Sequence, residues 1–240
     1  AAQTTIDANG LDQVIDAWTD THLEIYALTV TGGESDATYG GGIRAFDADL
    51  VLVQVQVQGN QTDGGGGGIA VTGTSTLQMV DSRVSDNQAS TVAGGIYVGV
   101  PAVATITDSE ISGNTAATDN YGGGIYSAGT LVMTGSLIDA NTAGHAAGIR
   151  AAQTATIDRS VISANHATAN NGHGGGLYLA GLEGSPGDFH VSGTTIYRNS
   201  AGQAGGGLVI TGKAEIVNAT ISENVADDAG AHDGKSDVSR

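Results

Sequence analysis

Short alternating apolar runs, each cut off by glycine or a small polar turn, recur along the whole chain. "YGGGIYSAGTLVMTGSLIDANTAG" (121–144) and "GGGLVITGKAEIVNATISENVA" (205–226) carry the same parts in the same order. The turn ends in Asn60, Asn87, Asn114, Asn141, Asn165, Asn199 and Asn224, at intervals of 27, 27, 27, 24, 34 and 25 residues. Three places before each Asn stands a β-branched residue: Val57, Val84, Ile111, Ile138, Ile162, Ile196 and Ile221. Eight places before it stands Leu52, Met79, Ile106, Met133, Ile157, Val191 or Ile216. An earlier unit places Ile25 and Val30 in those columns, with Gly33 in place of Asn. A second anchor is Gly followed by Ile43, Ile69, Ile96, Ile125, Ile149, Leu177 or Leu208, with Ile15 as the first member.

Alternation of period two marks strands. No segment sustains a 3.6-residue period, and glycine interrupts every unit, so helices do not compete. Each unit of about 27 residues therefore predicts three short strands. They begin at the Gly-Ile anchor, near ten places before the Asn and near four places before it. Successive units are expected to stack as coils, with equivalent strands paired in parallel about 4.8 Å apart. The prediction is an all-β parallel β-helix of about eight coils over residues 1–226, followed by an acidic tail or linker, 227–240. Glycine precedes the first strand, where positive φ and close backbone approach are needed. The Asn column reads as a buried ladder, each amide bonding to its neighbours above and below. The plainer reading is a turn preference.

The phrases "GGGI" (122–125) and "IDAN" (138–141) resemble the G-G-A-I and F-x-x-N phrases of polymorphic outer-membrane protein repeats, right-handed parallel β-helices of bacterial surface proteins. Ile or Val stands here where that family has Phe. The resemblance covers nearly the whole chain. It implies a right-handed coil and an exported, extracellular or cell-surface protein of a bacterium or archaeon. "TTIDANG" and "LTVTGG" (28–33) look like the first coil of such proteins, and a leader is expected to have been removed before it.

Composition agrees with a narrow coil. Two Phe and one Trp are too few for a thick globular core, and 39 Gly suit frequent bends. A formal charge of −17 disfavours nucleic acid and anionic membranes, because phosphate binding needs Lys and Arg. No apolar run is long enough to span a bilayer as a helix. With no Cys there is no disulfide frame.

Parallel β-helices also carry polysaccharide lyases and hydrolases. Gly172-His173-Gly174 resembles the G-H-G phrase of polygalacturonases. The companions are missing: Asn141-Thr142 is followed by Ala143, no Arg-x-Lys occurs, and the pair Asp227-Asp228 comes after the His. A lyase base is suggested only by Arg159 beside Asp158; Asp81, Asp108 and Arg159 share one column. His145 and His173 occupy one column in consecutive coils with Tyr121 before them, as a metal pair or as exposed turn residues. Ca²⁺ is conceivable from the acidity, but the nonapeptide phrase for it is missing and no cofactor is expected. Thr is too irregular for an ice-binding face. Of two glycosylation sequons, at Asn60 and Asn218, the first falls in the ladder.

One outward column is more suggestive. Just after the anchor, four consecutive coils present Tyr97, Tyr126, Arg150 and Tyr178. At coil spacing they would form an aromatic and cationic strip along a glycan, neutral rather than anionic given the net charge. The alternative is a sheet surface covered by good strand formers. Two lengthened connections, ending at "DNYGG" (119–123) and containing "AGLEGSPGDF" (180–189), are the places for added function. Terminal coils leave open strand edges, and neither end carries an amphipathic helix as a lid, so end-to-end stacking or further domains are expected. Taken together, the residues predict a rigid spacer or adhesin segment. The alternative is a polysaccharide-active β-helix enzyme.

Overall fold

A computed structural model describes residues 4–36, 38–181, 186–226 and 238–239. These residues form strands, turns and bends, with no helix among them. The strands lie in four parallel sheets, two of nine strands and two of eight. One coil runs Ile69–Thr72, Thr76–Val80, Arg83–Ser85 and Gln88–Ala89. The first is the anchor sheet, the second the long sheet, the third the Asn sheet, the fourth the short sheet.

The three expected strands per coil are present in the expected register. Ile69 pairs with Ile43 and Ile96, Met79 with Leu52 and Ile106, and Val84 with Val57 and Ile111. Ile15 pairs with Ile43, and Ile25 and Val30 pair with Leu52 and Val57, so the earlier coil is real. The fourth strand, two residues following each Asn, was not expected. It buries small side chains: Ala89, Ala116, Ala143, Ala167 and Ala201. In the tail, Val238–Ser239 adds a strand beside Leu208–Ile210. Asp227 and Asp228 lie outside the described residues.

Inward side chains fill the coil by trading volume between neighbours. The column Leu77, Ala104, Leu131, Ala155, Phe189, Ala214 alternates large and small. Phe189, the largest fully buried side chain, is thus flanked by alanine above and below.

Left-handed residues recur at three places in each coil, the third being three places before the anchor. The first lies between the long and Asn sheets, at Gln54, Asp81, Asp108, Gly135, Arg159, Gly193 and Asn218, with φ from 44° to 62°. The second immediately precedes each Asn. The Gly triplet before the anchor divides its work. Gly66 has φ 74°, while a Cβ on Gly67 would lie 2.4 Å from the Gln88 carbonyl oxygen. The first glycine supplies backbone shape and the second supplies room.

Every predicted Asn from Asn60 to Asn224 is buried, at most 6% exposed. Asn114 shows the pattern. Its Oδ1 accepts the backbone N–H (3.1 Å) and the side-chain amide (2.9 Å) of Asn87. Its Nδ2 donates to Asn141 Oδ1 (3.0 Å) and to the Val84 carbonyl (3.0 Å). Asn60 Oδ1 accepts from Gly33 N–H, so the ladder starts where the Asn column itself starts. A second ladder runs five places before the Asn. Ser82, Ser109, Ser136, Ser160 and Thr194 are buried, and each hydroxyl accepts a backbone N–H from the preceding coil at 3.0–3.4 Å. The same hydroxyls donate to carbonyls two residues back, at 2.7–2.9 Å.

Candidate functional site

The anchor sheet turns its Ile and Leu anchors inward and the next residue outward. Tyr97, Tyr126, Arg150 and Tyr178 therefore follow one another in register, each half-buried. Tyr97 and Tyr126 stack with centroids 5.8 Å apart and planes 13° apart. The Arg150 guanidinium lies 4.8 Å over the Tyr178 ring. Its Nη1 also donates to the Ala151 and Ala180 carbonyls, at 2.6 and 2.8 Å. Arg150 thus holds the strip together, with Nη1 turned toward backbone. Burial pulls its pKa down and the neighbouring tyrosines partly offset this.

The Gly triplet folds a second column against this one. Tyr39, Tyr121, His145 and His173 stand four places before their anchors. Tyr39 stacks on Tyr97 at 4.7 Å and 17°. Tyr121 stacks on His145 at 5.0 Å and meets Tyr178 at 6.3 Å, and His145 stacks on His173 at 5.9 Å. Tyr39 and Tyr121 thus join the strip, although they sit in another column of the sequence. Burial, then the Tyr39 hydroxyl bond, pushes the Tyr97 phenol well above its usual value, so it remains a neutral donor. Burial, with His173 alongside, pushes the His145 imidazole below its usual value; the charge of Asp119 opposes this. His145 Nδ1 is buried without a hydrogen-bond partner.

His173 lies in the ring file, on His145. Among the described residues no three His, Cys, Asp or Glu side chains gather as a metal site. Asp81, Asp108 and Arg159 occupy the first left-handed corner, and the Gly135 coil separates the last two. They line a groove of about 1010 Å³ with Arg83 and Glu110, which pair at 3.3 Å. Arg159 is ion-paired to Asp158, whose Oδ1 accepts the Ser192 hydroxyl at 2.6 Å. Asn60 is 1% exposed and bonded within the ladder, so its sequon is closed, whereas Asn218 is exposed at a corner.

A family model described as a right handed beta helix region matches residues 54–235. Neither the curated proteins nor the solved structures give a match.

Proposed function

The chain belongs to the right-handed β-helix family, and from that premise we propose that it is an exported, cell-surface structural module that holds neutral glycans along its tyrosine strip. It works as a rigid spacer, joined through its outermost coils to further chain or to other copies of itself. The single observation that carries the reading is the strip's fixed geometry. Tyr97 on Tyr126 and Arg150 on Tyr178 are locked at coil spacing by the sheet beneath them. A polymer lying along such a row orders few side chains as it binds, so little entropy is lost. Ring faces suit sugar C–H groups, as in other aromatic recognition surfaces.

The test is a glycan array probed with the wild-type chain and a Tyr126→Ala/Tyr178→Ala double variant. Loss of a bound neutral glycan in the double variant supports the strip. Equal binding by both makes the tyrosines surface cover, and no binding by either leaves the spacer role alone.

The corner groove supports a second reading, polysaccharide cleavage with Asp81 and Asp108 as its acids. Against it, the two stand in one column of successive coils, whereas hydrolysis wants carboxylates facing across a bond. Release of reducing ends that disappears in Asp108→Asn would establish it.

A further inference from the structure

The amino-terminal end of the ring file differs in character from the rest. The coil between Tyr39 and Tyr97 presents Gly65 and Ala70 at the two ring-bearing columns. Neither reaches beyond a Cβ, so Tyr39 and Tyr97, two coils apart, close over the gap and stack at 4.7 Å. Ala70 faces outward in the alternation, yet it is fully buried. Tyr126 continues the stack on the other side. Acids line the groove beside these rings. Glu34–Ser35 pairs with Gln61–Thr62, so Asp36 and Asp63, the residues that follow, stand in one column of successive coils. Rings and carboxylates together line a groove of about 490 Å³, and none of its lining residues is Lys or Arg.

We infer that this groove is a subsite for a protonated amine carried on a sugar, with the tyrosine rings against the pyranose face and Asp36 and Asp63 taking the ammonium group. Arg150 lies in the other half of the strip, so the two halves differ in charge. Tyrosine faces and carboxylates both favour a cation, the first through the ring quadrupole and the second through charge-assisted hydrogen bonds. A net charge of −17 adds long-range attraction for a cationic chain. The phenol of Tyr97 remains protonated beside the groove. The inference extends the glycan-binding reading but fails separately from it.

The experiment is calorimetric titration of the whole chain with a glucosamine tetramer bearing free amines, with its N-acetylated counterpart, and with spermidine, at a pH where the amines are protonated. The free-amine tetramer is expected to bind at least about tenfold more tightly than the acetylated one, a single charge-assisted bond being worth that much. Asp36→Asn/Asp63→Asn should erase the preference. Tyr126→Ala should weaken binding by about tenfold and Tyr126→Phe should restore it. Glu215→Gln/Glu223→Gln, which removes the same charge in a distant coil, should change nothing. Melting curves confirm that each variant is folded. Equal binding of both tetramers, no binding of either, undiminished binding in the double Asp variant, or spermidine binding as tightly as the tetramer each overturns the subsite. Neutral glycans that still require Tyr126 and Tyr178 would then leave the strip standing alone.

Discussion

Asn114 is bonded to the coils on both sides of it. Replacing it with Leu strips the acceptor from two Asn87 donors and the donor from the Val84 carbonyl and Asn141 Oδ1. A buried group left unpaired costs about 1–3 kcal/mol. Asn114→Leu should therefore lower the denaturant midpoint without changing the slope, and an unchanged midpoint would refute a stabilising ladder. His145 gives a prediction of opposite chemistry. Its folded pKa lies below the ordinary value of 6.5, so the unfolded chain takes up the proton first. The stability linked to it is present above that value and is lost as pH falls. An NMR titration should place the His145 midpoint below that of a free histidine, and His145→Gln should flatten the acid-side decline in melting temperature. The Asn column was legible because one residue type recurs at one place. The Ser column stood equally plainly at Ser82, Ser109, Ser136 and Ser160. It went unread because serine is usually a surface residue, and only the corner geometry buries it. Tyr39 was missed for another reason: contact between two columns arises from the Gly bend, which alternation along a strand does not encode.

At the scale of elements, period-two runs of three to five residues announced three of the four strands in each coil. The fourth, such as Gln88–Ala89, is too short to alternate, although its inward alanines repeat through Ala116, Ala143, Ala167 and Ala201. The αL corners were also present in the sequence, but as a column of mixed types, Gln54, Asp81, Gly135 and Arg159, which hides a conformational requirement. Packing between strands yields a sharper prediction. Phe189 occupies space released by Ala155 on one side and Ala214 on the other. Ala155→Leu adds volume where none is free, and overpacking of this kind costs about 1–3 kcal/mol. The same change at Ala104, which lies between Leu77 and Leu131, should also destabilise. A double variant Ala155→Leu/Phe189→Ala should recover much of the loss, and a cycle of melts measures the coupling.

Across the whole molecule, each coil touches chiefly the coils above and below, so stability is close to a sum of nearest-neighbour terms. The effect of lying at a sheet edge among the described residues is visible in a single column. Val191 is fully buried, whereas Ile216, one coil further out, is 36% exposed. The ladders follow the same axis: sheet bonds, asparagine amides and serine hydroxyls all cross from one coil to the next. A chain pulled between its two ends therefore loads these bonds in tension, one interface at a time. Rupture should begin at an outer coil and move inward. A coil of 27 residues releases about 90 Å of extended chain. Single-molecule stretching should then give a sawtooth of about that spacing in place of one all-or-none event. A module built this way would act in tension as a length reserve, yielding a coil at a time while the inner coils keep their shape.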